Sequence, residues 1–215
     1  MEAIGIHTVY LDEKIFREHA MSQPNADRYL NLMLEAKHRI FSIDQVLSGK
    51  CNLGFLPTNT ETVYLQFRKI LELVAYASLV ANIDIYTAAR KDHSTEWHAK
   101  RFLKKIDSLN PHFYPDALRH DPVDGNSLNY ESVDAPYLSR ADFEILYDTC
   151  GALMHSENPY GGAHQYSTLL KDAPAWLEKI GNLLDVHHIR LVDGSSWLMH
   201  LGGEGHPFYM VLDKV

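Results

Sequence analysis

Arg68 and Glu72 stand four residues apart in the run FRKILEL (67–73), so on a helix they share one face. If that helix is buried, the arginine needs a partner, and Glu72 is the nearest carboxylate. The pair then either fixes helix register or leaves Arg68 aimed into a cleft. There a planar, permanently charged guanidinium can hold a phosphate or another anion. A second group lies in DTCGALMHSENPY (148–160). At 100° per residue His155 sits about 120° from Phe143, just off the apolar stripe, with Gly151 one turn before it. Pro159 limits the helix, which predicts His155 in its last turn. There an imidazole either serves as a general acid/base or bonds a terminal carbonyl. Glycine inside a helix costs about 1 kcal/mol against alanine, so close approach of a neighbour or a ligand should offset it.

A third group is Trp97 among Lys100, Arg101, Lys104 and Lys105. A tryptophan ringed by cations can stack a base while the cations hold phosphates, or the whole can be a solvated helix face. The fourth is the histidine-rich tail, His187, His188, His200 and His206. Adjacent strand residues face opposite ways, so His187 and His188 are not expected to share a metal. No zinc-type spacing, phosphate-cradling glycine loop or Gly-x-Ser-x-Gly elbow occurs, and no metal or cofactor is expected.

The elements that must carry these groups follow from periodicity. Residues 4–11 predict a short strand. Ser22 or Asn25 is the expected N-cap of a first helix with the stripe Ala26, Tyr29, Met33, Ala36, Ile40, Ile43, Leu47, ended by Gly49. After the loop 48–57, Thr58 and Glu61 predict a capping box for a second helix, 60–89. It is apolar nearly all round from Ile70 to Tyr86 and is therefore central. A third helix is predicted over 95–108, capped by Ser94 or Thr95, with Ala99, Phe102, Leu103 and Ile106 inward. Residues 109–138 hold four prolines and read as a long irregular connection. Ser139 and Asp142 cap a fourth helix with the stripe Phe143, Leu146, Tyr147, Cys150, Leu153, Met154. A fifth helical region carries Trp176, Leu177, Ile180, Leu183 and Leu184, with Pro174 as a candidate break. The period then changes. Residues 188–192 and 196–201 flank Asp193-Gly194 as a hairpin, and 208–212 is a third strand. The expected fold is mainly α, one domain over 1–215. About five helices form a bundle over 22–185, followed by a small antiparallel β-meander over 186–215 with which strand 4–11 can pair.

Composition narrows the function classes. Hydrophobic residues make up 46% and charged residues 22%, ordinary for a globular chain. The longest nearly apolar stretch, Leu73 to Ile83, is far short of the roughly 20 residues that span a bilayer, so no membrane partner is expected. The first fourteen residues lack a basic run followed by an apolar one, and the two cysteines, Cys51 and Cys150, form no CxxC pattern. Both predict a cytoplasmic, reducing setting. The net charge of −8 works against non-specific nucleic-acid binding, although a local basic face can overcome it.

Three stretches resemble a group of uncharacterised bacterial helical proteins: FRKILELVAYASLVAN (67–82), NPHFYP (110–115) and CGALMHSENPY (150–160). The layout over residues 22–185 also resembles the HEPN superfamily, helical bundles of toxin, phage-defence and RNA-processing proteins, many of them metal-independent ribonucleases. The family signature is an arginine and a following histidine with four to six residues between them. His155 matches the histidine, but Asp148, Thr149 and Cys150 stand where the arginine belongs. The resemblance implies a ribonuclease in which His155 is the catalytic histidine; on an enzyme reading His155 acts as general acid/base on the 2′-hydroxyl of RNA, Arg68 supplies the missing cation from another helix, Glu72 orients it and Asn158 positions substrate. Many members without the signature are binding modules, which makes a non-catalytic helical module that dimerises or holds a protein partner the alternative. A third reading is RNA or DNA binding through Trp97 and the cations of 100–105.

Overall fold

The computed structural model describes residues 23–88, 99–123, 127–156, 158, 160–202 and 206–213, without the side chains of 99–102 and 120–129. Six helices and five strands lie among them: α1 (Pro24–Leu47), α2 (Leu56–Ala81), α3 (Ile83–Ala88), α4 (Ala99–Leu109), β1 (Asp116–Val123), β2 (Ser127–Ser132), α5 (Arg140–Leu153), α6 (Tyr166–Leu184), β3 (Val186–Arg190), β4 (Ser196–His200) and β5 (Phe208–Leu212). The fold is thus mainly helical with an antiparallel sheet towards the C-terminus. The strand expected at 4–11, Ser22 and the caps at Ser94 or Thr95 lie outside the described residues.

The predicted stripe of α1 faces inward. Ala26, Tyr29, Met33, Ala36 and Ile43 are buried, and Ile40 and Leu47 pack on the same core. Its start is set differently from the expectation, because Asn25 lies inside the helix and Gln23 is the N-cap with no side-chain cap bond. Pro24 explains this, since its ring presets a helical φ at the first turn and has no N–H to satisfy. Gly49, at φ 75°, turns the chain out as expected. Pro57 likewise starts α2 at Leu56, so Thr58 is already inside the helix and the predicted box with Glu61 does not form.

α2 is the central helix and contacts α1, α4, α5 and α6. It ends at Ala81 where a continuous helix to 89 was expected. The buried Asn82 marks the break: its amide donates to the Ser78 carbonyl (2.8 Å) and accepts from the amide of Asn110 (2.9 Å). Asn110 also donates to the Arg190 carbonyl (2.9 Å), so the loop after α4 joins the end of α2 to the end of β3.

The irregular connection expected over 109–138 instead contains the β1–β2 hairpin. β1 meets β3 only at Asp116 and Ala117, so at Pro122 its one partner is β2, an arrangement that tolerates a missing N–H. The predicted three-stranded meander is therefore part of a five-stranded sheet, ordered β2-β1-β3-β4-β5. The hairpin turn falls at Gly194 (φ 89°), and β5 spans the predicted residues. Alternation sends Ile189, Trp197 and Met199 into the core shared with α1, α2, α5 and α6. α6 runs unbroken through Pro174. α5 begins as predicted, with Ser139 and Asp142 capping each other reciprocally. No helix among the described residues is long and apolar enough to cross a membrane.

Candidate functional site

Arg68 lies where α2 crosses α5. Its Nε–H donates to Glu72 Oε1 (3.0 Å), one Nη1–H to the Tyr147 carbonyl (3.3 Å) and one Nη2–H to the Tyr147 hydroxyl (2.6 Å). The guanidinium carbon stands 3.5 Å from the centre of the Tyr147 ring, which is stacked in turn on Phe143. Glu72 also accepts from Lys69 Nζ (3.3 Å). The Arg68 and Glu72 side chains are 21% and 19% exposed, enough to be reached from solvent. A guanidinium has five N–H groups, so two remain uncommitted within these contacts.

The row that meets Arg68 is read along α5 in steps of four: Phe143, Tyr147, Gly151, then His155. A Cβ on Gly151 would lie 3.4 Å from Arg68 Nη1, ordinary contact distance, so the glycine leaves a small gap beside the cation. Tyr147 is the member that sequence reasoning missed. Its place in the four-residue row between Phe143 and Gly151 was the available signal.

His155 falls just past the helix rather than in its last turn. α5 ends at Leu153, Met154 is the C-cap, and the Met154 N–H closes on the Gly151 carbonyl (3.3 Å). His155 is exposed, and neither a hydrogen bond nor an ion pair holds its imidazole among the described residues. Asn158 is occupied in a turn: its side chain accepts the Tyr160 N–H (3.0 Å) and its carbonyl accepts the Gly161 N–H (2.8 Å). Tyr160, beside it, is 97% exposed. The Cys150 thiol, buried behind the row, is pushed up to about 12 by that burial, against the lowering effect of nearby Arg68, so it is no nucleophile.

The other groups separate. Trp97 and the side chains of Lys100 and Arg101 lie outside the described residues. Lys104 is exposed, while Lys105 is half-buried with its ammonium 5.5 Å from the Tyr86 ring centre. His187 is fully buried, its Nε2 3.1 Å from the Tyr29 hydroxyl and its Nδ1 3.2 Å from the Leu184 carbonyl. His188 faces Asp116 at 4.0 Å, and His200 stacks on Phe208. No three His, Cys, Asp or Glu side chains gather as a metal site among the described residues. Against this fold and this geometry, no protein-family model, no curated protein and no solved structure matches the chain.

Proposed function

We propose that this chain is a HEPN-like helical module that holds a partner, RNA or a second copy of itself, and does not turn the partner over. The observation that carries the reading is how Arg68 is used. Three of its N–H groups and its π-face are spent on Glu72 and Tyr147, which makes it a staple between α2 and α5. Catalysis needs its acid/base held in place by a third group, and His155 has no such orienting partner among the described residues.

One feature favours the second reading, a metal-independent ribonuclease. Arg68 lies beside Gly151, four residues before His155, with two N–H groups to spare. There His155 would take the proton of an RNA 2′-hydroxyl and Arg68 would stabilise charge on the phosphate. Total RNA incubated in chelator with the wild type and with His155→Ala separates the two. Intact RNA in both lanes is expected; cleavage by the wild type alone overturns the module reading. Sedimentation on the same sample reads whether a second copy is the partner.

A further inference from the structure

The sheet has two edges, β2 and β5, and their sequences differ in kind. β2, SLNYES, is polar and carries Glu131, which is bonded to Arg119 (3.0 Å). A charge on an edge strand deters a further strand from pairing there. β5, FYMVL, has neither charge nor proline, and its register with β4 runs without a bulge. Among the described residues it pairs with β4 alone. Its outward N–H and C=O groups thus form a row that a sixth strand can meet. Both faces of β5 are apolar as well. Tyr209 and Val211 pack on the main core, while Met210 and Leu212 pack with Leu198, Val186 and Tyr130 on the opposite face. All four are only half-buried. An antiparallel edge commonly has one polar face turned to water, whereas the strand that fits beside β5 is apolar on both faces.

Residues 4–11 have that pattern. Ile4, Ile6 and Tyr10 alternate onto one face and Val9 and Leu11 onto the other, with no Asp, Glu, Lys or Arg among them. The chain also delivers this segment to the right place. Gln23, the N-cap of α1, donates its N–H to the Tyr209 hydroxyl (3.3 Å), and that hydroxyl donates to Asp27 (2.7 Å). The start of α1 is therefore tied to the middle of β5. Residues 12–22 reach about 16 Å if helical and about 36 Å if extended. The whole of β5 is about 17 Å long, so either reach lets 4–11 lie along its edge.

We propose that residues 4–11 of the same chain dock on the outer edge of β5 as a sixth, antiparallel strand and close that edge to other chains. The antiparallel sense continues the rest of the sheet. The added strand satisfies the outward backbone groups of β5 and extends both apolar faces by one row. No residue of this edge belongs to α2 or α5. The proposal thus stands or falls separately from the role given to Arg68.

The test is NMR on the full chain. Cross-strand Hα–Hα contacts between residues 4–11 and 208–212 are expected, with amide exchange slowed in both segments and unchanged on dilution. Alternate N–H groups of the added strand point towards and away from β5, so one of Ile6→Pro and His7→Pro removes a ladder donor. In that variant protection should be lost over 4–11 and from the outward amides of β5, while the amides of α2 exchange as in the wild type. The wild-type contacts decide the matter alone if the variants fail to fold. Absence of those contacts, or unchanged protection in both proline variants, overturns the proposal. Protection that fades on dilution overturns it too, because the occupant is then a segment of a second copy.

Discussion

At the scale of single residues, Gly151 separates what is structural about the Arg68 corner from what is open. The i,i+4 pair of Arg68 and Glu72 was legible, because spacing alone puts them on one face. The contact with Tyr147 was not, since it joins residues 79 apart and no local pattern encodes which helices cross. Glycine at 151 costs α5 helical propensity, yet the space beside it is not crowded, as an added Cβ would meet Arg68 Nη1 at 3.4 Å. Gly151→Ala should therefore stabilise the fold by about 0.5 to 1 kcal/mol, read from the urea midpoint. If the partner's phosphate or carboxylate reaches Arg68 through that gap, binding falls while stability rises. A destabilised alanine variant would mean that the corner is packed too tightly to admit a ligand at all.

At the scale of elements, readability depended on where the determining residues sit. The α1 stripe, the Ser139–Asp142 cap and the turn at Gly194 are local, and each was legible. The starts of α1 and α2 were misplaced because Pro24 and Pro57 begin the helices without side-chain caps. The β1–β2 hairpin was hidden because Pro122 argues against a strand unless one knows that β3 has already parted from β1 there. The join between α2 and the sheet was equally invisible, as it runs through one side chain, Asn110, to Asn82 and Arg190. Asn110→Ala removes the donor from two acceptors at once. A loss of about 2 to 4 kcal/mol is expected, since each buried acceptor left unpaired costs about 1 to 3 kcal/mol. Equilibrium unfolding reads it. A change under about 0.5 kcal/mol, the range of a neutral surface substitution, would mean that water replaces the amide there and that the loop is not a structural tie.

At the scale of the whole molecule, helices and sheet share one core, and His187 is a fully buried polar group between them. It bonds Tyr29 on α1 and the last turn of α6 from its place on β3. Burial holds its imidazole down to about 4, against an ordinary value near 6.5, with the Leu184 carbonyl pulling weakly the other way. His188 is lowered as well, first by burial and with Asp116 opposing. A folded state with lowered histidine values binds fewer protons than the unfolded chain. The stability these groups contribute is complete above about pH 6.5 and is lost as pH falls from there towards about 4. The Asp142 carboxyl acts lower still: burial alone would raise it, but its bonds to Lys179 and Ser139 leave it below the usual carboxylate value. Between pH 7 and pH 4.5 the histidines therefore dominate, and the melting temperature should drop steeply across that window. His187→Gln keeps an amide that can serve both neighbours but does not titrate, so its melting temperature should be lower at pH 7 and much flatter with pH. An equally steep slope in the variant would move the acid sensitivity to other groups and leave His187 as packing alone.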